Sequence, residues 1–431
     1  MLEPPARGAS RRALLEKAFR YGLAAVGPVG AAVSQFLLSL QLLRMMQPAQ
    51  FGAFSFLLVT SQFSNGVWSA LFCAPLPVLM GGEDAARREA MLRALFTANL
   101  LGAAIAFLIF WALGASLGAP TPAALFFAGY GALALLRWFG RAYAYVTSAP
   151  MRTTASDLLY TLTLFAGVVL IQFRQPDSLT LPHAALCLSA AVSLLPFGKD
   201  YLSRQFVRLS LRETPLYGEV WRRHSSWSLT GVVTTEATAN AHAYLVTFFL
   251  GPGAFAPLSA SALLIRPISV VTNALSDFER PQMAREIHEN RLDRAERSVR
   301  LFRLALMAMW VATAAGAAAL LAYAPQLIFP SRYPLAEIAT GAALWMAVSA
   351  IRLLRTPESI LLQAGGMFRP LAYASMISCG VSIAAVGALL ALGGPLWSIA
   401  GIFIGEAIYA FWVWRQARRW RAAETAKSTA P

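Results

Sequence analysis

"QPAQFGAFSF" occupies residues 47–56, and "GPGAFAPLSA" occupies residues 251–260. Aligned, Pro48 falls on Pro252, Phe51 on Phe255, Gly52 on Ala256, Phe54 on Leu258 and Ser55 on Ser259, at an offset of 204 residues in a chain of 431. Each copy follows one long apolar run and leads into the next. A phrase repeated at close to half the chain length points to an internal duplication.

The surrounding composition sets the environment of that duplication. The chain is 57% hydrophobic and 13% charged, with a mean hydropathy of +0.56. Soluble chains carry about a quarter charged residues. Too little polar surface is available to coat a water-soluble globule, so the chain belongs in lipid. The net charge of +15 and pI near 10.4 would suggest nucleic acid in a soluble protein. Here the basic residues recur in short clusters between apolar stretches, which excludes one nucleic-acid-binding patch and suggests membrane topology instead.

A helix needs about 20 mostly apolar residues to cross a bilayer. Twelve candidate spans meet that need, near 21–43, 52–79, 91–115, 122–147, 153–172, 180–198, 227–249, 254–278, 301–324, 335–363, 371–392 and 396–415. The first follows "RRALLEKAFR". It is too long for a signal-peptide core and lacks a small-residue cleavage site, so it reads as a retained membrane helix. With both termini inside, the inside segments hold 27 of the 36 Lys and Arg, and the outside loops hold only Arg44, Arg174 and Arg332. That asymmetry is the positive-inside signature, and one extra or missing helix would invert half the loops. The expected fold is therefore an all-α polytopic membrane protein of about twelve helices in two pseudo-symmetric six-helix bundles. The domains are 1–199, a basic linker at 200–226, and 227–431 with a basic tail.

The echoed phrases lie six helices apart, an even number, so both face the same side. This is the pattern of parallel repeats about an axis along the membrane normal. A second echo agrees. The fourth span carries Arg137 and Arg141, and the tenth carries Arg352 and Arg355.

Together "QPAQFGAFSF", "GPGAFAPLSA" and "RPISVVTNALSDFERPQMAR" make the chain resemble the polysaccharide flippase branch of the multidrug/oligosaccharidyl-lipid/polysaccharide exporter superfamily. Ala256 departs from the family pattern, where glycine is usual. The resemblance implies translocation of a lipid-linked oligosaccharide across the bacterial cytoplasmic membrane during surface polysaccharide synthesis. Its implied partners are that lipid-linked sugar, the membrane lipids, protons or sodium as coupling ions, and polysaccharide polymerase components.

Charged side chains at membrane depth are costly and mark functional sites. The seventh span, "SLTGVVTTEATANAHAYLV", carries Thr230, Thr234, Thr235, Glu236, Thr238, Asn240 and His242. At 1.5 Å per residue, Glu236 stands roughly 15 Å from the inner face, near the midplane. A lipid-facing helix could not carry this row, so it lines a cavity or a polar network between helices. Glu236 is the candidate for ion coupling, and Asn240 a candidate substrate contact. Arg137, Arg141, Arg266, Arg352 and Arg355 are candidates for an anionic head group, because a guanidinium matches phosphate in a bidentate way and keeps its charge. The alternative is that these arginines pair internally with Glu236, Glu358 and Glu406. Asp157 and Asp277 lie near the inside ends of their spans and read as interface charges. Pro28, Pro267 and Pro357 read as kinks within helices.

No phosphate-binding P-loop, HExxH or GxSxG motif occurs, and the four histidines are scattered. Cys73, Cys187 and Cys379 stand apart without metal-ligand spacing. Neither cofactor, metal nor enzymatic activity is expected. The rival readings are a cation-coupled multidrug or metabolite exporter, a lipid-linked peptidoglycan precursor flippase of the same architecture, and, more remotely, a membrane-embedded transferase.

Overall fold

The structure is a computed structural model that describes residues 27–80, 84–175, 177–289 and 291–429, without the side chains of Val78, Arg223, His224, Trp227, Asp277 and 425–429. The first predicted span lies inside this range only from residue 27, and the side chain of Asp277 lies outside it.

The protein is an all-α polytopic membrane protein, and each of the twelve predicted spans is mostly helical over its described residues, with turns at 74–75 in the second and 193–194 in the sixth. In chain order they are α1 (27–45), α2 (Pro48–Trp68), α3 (Ala85–Ser116), α4 (Thr121–Val146), α5 (Pro150–Arg174) and α6 (Thr180–Val192). There follow α7 (Ser226–Leu250), α8 (Pro252–Ala262), α9 (Arg266–His288), α10 (Leu292–Tyr323), α11 (Leu335–Ala364), α12 (Phe368–Gly393) and α13 (Ser398–Thr429). The eighth predicted span is the pair α8 and α9, separated by a 3-10 turn at Leu263–Ile265. Pro267 therefore stands in the first turn of α9 and does not kink a helix interior, because a missing N–H costs nothing there. Pro357 does lie inside α11, as do Pro257 in α8 and Pro281 in α9.

Among the described residues, nine helical segments are long and apolar enough to cross a membrane. In α10 the most apolar window has a hydropathy of 2.0 yet only 11% of it is buried, so Leu301, Leu304 and Val311 face outward. Such a surface is stable only against lipid. The helices α2 and α7 are not among the nine. They carry the polar rows Thr60, Ser61, Gln62, Asn65 and Thr234, Thr235, Glu236, Asn240.

Contacts divide the chain into two compact units, Met1–Leu38 with Leu71–Ser225, and Ser39–Ala70 with Ser226–Pro431. In the first, α4 packs on α3 and α6, and α6 on α5. Phe96 stands edge-on to Phe139 at 5.0 Å and to Tyr143 at 5.3 Å. The basic linker is folded onto α3 in this unit. Arg204 pairs with Glu89 at 2.7 Å, Glu213 with Arg93 at 2.8 Å and Glu219 with Arg87 at 3.1 Å. Asn99 donates to Gln205 at 2.8 Å beneath them.

In the second unit α2 packs on α7 and α8, which explains its membership despite its early place in the chain. The two echoed phrases start these helices. Pro48 occupies the first position of α2, and the Gln47 amide donates to Gln50 at 3.2 Å. Gly251, at φ +82, turns the chain into Pro252 at the start of α8. The phrases then touch. A Cβ on Gly52 would collide with the Pro252 carbonyl oxygen and lie 3.4 Å from the Ala256 nitrogen, while one on Gly253 would lie 3.9 Å from Ala49. Gly52 and Ala256 are equivalent at the offset of 204, as are Ala49 and Gly253. Contact between a residue and its own equivalent is what a twofold relation between the phrases requires.

Candidate functional site

The polar face of α7 meets α2, α9 and α11 around a cavity of about 140 Å³. Asn240 and His242 of α7, Arg266 of α9 and Arg352 of α11 line it, with Gln62 and Ser55 from α2. Ser39, Ser259 and Trp345 complete its wall. The structure thus brings together three candidates named from the sequence, Asn240, Arg266 and Arg352. All lie within the second unit.

Local structure explains how α7 carries so many polar groups. The hydroxyls of Thr230, Thr234, Thr235 and Thr238 each donate back to a carbonyl one turn earlier, as threonine can within a helix. Thr234 and Thr235 also share a contact with Ser375 at 3.1 Å. Glu236 accepts from Asn240 Nδ2 at 3.0 Å, one turn along α7. Gly66 of α2 faces it, where an added Cβ would be 3.0 Å from Val232 and 3.5 Å from Glu236. The His242 ring stands 5.1 Å from Trp345 and 5.8 Å from Phe255, and its Nδ1 has no hydrogen-bond partner among the described residues.

Arg355, one turn beyond Arg352, does not line this cavity. Glu406 of α13 accepts from Arg352 Nε at 2.7 Å and from Arg355 Nε at 2.8 Å. The Arg355 guanidinium lies 4.5 Å from the Tyr409 ring centre. Arg352 Nη2 has no hydrogen-bond partner among the described residues.

The first unit holds a related cluster. Asp157 of α5 is 1% exposed and accepts from both Arg137 and Arg141 of α4. Arg137 Nε also donates to Ser156 at 3.1 Å, and its guanidinium stands 4.5 Å from the Tyr160 ring centre. Gln35 of α1 donates to Tyr160 at 2.9 Å and to Tyr130 at 3.1 Å. Asp157 is therefore not an interface charge. It is buried between two cations, and its depth along α5 could not reveal that the α4 arginines would reach it.

A third carboxylate, Glu358 of α11, pairs with Arg303 of α10 and with Arg421 of α13 at 3.5 Å. Each of these three carboxylates meets two guanidinium groups, and in the third cluster Arg421 also meets Glu296 at 3.9 Å. The pairing of Arg352 and Arg355 with Glu406 matches the internal-pair expectation, whereas Glu358 takes Arg303 and Arg421, which that expectation did not name, and Glu236 accepts from the Asn240 amide. Two members of these clusters, Tyr160 and Tyr409, were not anticipated. The signal was present as a shared spacing, Asp157-x-x-Tyr160 and Glu406-x-x-Tyr409.

No protein-family model and no curated protein sequence matches the chain. Solved structures do resemble it in fold. One, described as the inward-facing conformation of a multidrug resistance MATE family transporter of the MOP superfamily, has a TM-score of 0.67 at 13% identity, covering 94% of this chain and all of that one. Another is the lipid II flippase MurJ in an inward closed conformation, with a TM-score of 0.70 at 9% identity, covering 92% of this chain and 87% of that one. A third, a MOP superfamily transporter from Pyrococcus furiosus Vc1 whose binding pocket is described as having reverse polarity, has a TM-score of 0.59 at 12% identity, covering 94% and 95%. The chain shares the fold of these solved structures.

Proposed function

We propose that the protein is a membrane transporter that flips an anionic lipid-linked oligosaccharide across the bacterial cytoplasmic membrane by alternating access, with both termini in the cytoplasm. The observation that supports this most directly is the α7 cavity, where Arg266 and Arg352 face the same space as Asn240 and His242. Two guanidinium groups beside amide and hydroxyl donors suit phosphate oxygens. The cavity, about 140 Å³, is the seat proposed for the phosphoryl head group.

The carboxylate of Glu236 is the candidate coupling group for protons or sodium, one helical turn from Asn240. A ligand shifts an inward–outward equilibrium only through different affinities for the two states. A coupling carboxylate beside the head-group cavity supplies one such difference. The fold neighbours include a multidrug transporter, a lipid II flippase and a transporter of reversed pocket polarity. A cation exporter would favour acidic and aromatic walls. The arginines in this cavity favour the anionic cargo.

The test is transbilayer movement of a host lipid-linked oligosaccharide in sealed vesicles, with matched amounts of wild type, Arg352→Gln, Arg137→Ala and Glu236→Gln. Transport by wild type, loss in Arg352→Gln and loss of gradient dependence in Glu236→Gln support the reading. Extrusion of organic cations by a wild type that moves no lipid-linked sugar would overturn it.

A further inference from the structure

We infer that Glu406 is a positioning residue for the cavity arginine, holding Arg352 so that it reads an oxyanion by shape as well as by charge. The inference rests on the reading that the α7 cavity takes an anionic group. It assigns a function to a carboxylate that does not itself line that cavity.

The geometry is specific. Glu406 is 3% exposed, and each of its two oxygens takes one Nε, Oε1 from Arg352 and Oε2 from Arg355. A guanidinium gripped at Nε keeps its Nη edge for another ligand. For Arg352 that edge includes Nη2, which has no hydrogen-bond partner among the described residues, and the side chain lines the cavity. Arg355 is held from a second direction by the face of Tyr409. The two arginines thus differ in what holds them: Arg355 is braced by Glu406 and by the Tyr409 ring, whereas Arg352 lines the cavity and has a buried Nη2 with no hydrogen-bond partner among the described residues.

The arrangement is repeated, which argues against chance pairing. In the first unit a carboxylate, Asp157, also receives two arginines of one helix, and the tyrosine three residues later also lies 4.5 Å from a guanidinium. Net charge alone would be met by a single arginine without a carboxylate, with no desolvation of three charges. One buried carboxylate holding two partly buried arginines makes sense where orientation is being fixed. A fixed fork distinguishes a bidentate oxyanion from a spherical one, whereas a loose cation does not.

Two accounts of Glu406 predict opposite signs. If it only cancels charge, its removal should tighten every anion. If it positions Arg352, disturbing it should weaken oxyanions and spare halides. The experiment measures binding of inorganic pyrophosphate and of chloride, the latter by competition, to the purified full chain in detergent. The variants are Glu406→Asp, Glu406→Gln and Arg352→Lys. Glu406→Asp is decisive because it keeps the charge, withdraws the oxygens by one methylene, and spares the fold the unpaired cations that Glu406→Gln leaves.

Glu406→Asp is expected to weaken pyrophosphate by about tenfold, the scale of one charge-assisted hydrogen bond, and to leave chloride within about twofold. Arg352→Lys should do the same. Wild-type pyrophosphate affinity in Glu406→Asp would overturn the inference while leaving the cavity reading intact, provided Arg352→Lys still weakens binding. Tighter binding of both anions in Glu406→Gln would also overturn it, in favour of charge cancellation. A wild type that binds no pyrophosphate would overturn the anionic reading of the cavity, and this inference with it.

Discussion

The Arg137 guanidinium stands 4.5 Å from the centre of the Tyr160 ring, fully inside the protein. The ring also holds Gln35 through its hydroxyl, at 2.9 Å. These two roles separate by substitution. Tyr160→Phe keeps the ring and removes one hydrogen bond, so it should cost about 1 kcal/mol. Tyr160→Leu also removes the cation–π contact and should cost about 2 kcal/mol more. Denaturation of the purified protein in detergent reads both, and equal losses would mean that the ring face contributes nothing.

Asp157 is the shared counter-ion of Arg137 and Arg141. Asp157→Asn leaves two buried cations without a partner carboxylate and should cost about 3–5 kcal/mol. Replacing Arg137 by Met at the same time should recover part of that loss, because an absent charge needs no partner. A double variant no more stable than the single one would show that the cluster does not depend on its charge balance.

Two glycines of the echoed phrases should respond differently to alanine. Gly52→Ala places a Cβ onto the Pro252 carbonyl oxygen, a backbone atom that cannot swing aside. Overpacking of that kind costs about 1–3 kcal/mol. Gly253→Ala meets only ordinary contact with Ala49 at 3.9 Å and should be tolerated. The melting temperatures of the two variants, compared side by side, decide this.

His242 is buried against Trp345 and Phe255 with Nδ1 unpartnered among the described residues. Removing a polar atom that makes no bond costs little stability. His242→Phe should therefore melt within about 1 kcal/mol of wild type, yet transport should fall if Nδ1 meets the cargo. Full transport by this variant would remove His242 from the site.

Topology has its own test. Single cysteines at Ser148 and Arg369 should react with a membrane-impermeant maleimide only after inner-face access is given, and one at Arg332 should react from outside. The native Cys73, Cys187 and Cys379 are half-buried free thiols and must be replaced first. Labelling of Arg332→Cys from the inner face would reverse the orientation derived from positive charge.

Much of the architecture was legible because it is written along the chain axis. Apolar length located nine of the predicted spans as helices long enough to cross, among the described residues, and the echo at Pro48 and Pro252 marked two helix starts. The paired arginines of α4 and α11 were visible as charges at depth. What each arginine touches was not visible. Arg352 and Glu406 are 54 residues apart, and hydropathy says nothing about which helices become neighbours. Asp157 was misread for the same reason, since its partners lie on α4. Pro267 was misread because proline reports where a helix bends or begins without saying which. The break at Leu263–Ile265 is marked in the sequence only by the Arg266-Pro267 pair that follows it.

The membership of Ser39–Ala70 in the second compact unit has a consequence for biogenesis. The chain is made from its N-terminus, so α2 enters the membrane long before α7 and α8 exist. During that interval Gly52 and the polar row from Thr60 to Asn65 face lipid or a temporary companion. Pairings so distant in sequence form late and leave early segments exposed. The N-terminal half cannot complete its fold as a separate piece, and α2 must be held in waiting, by the insertion machinery or by a membrane chaperone, until the second echo of its own opening phrase arrives.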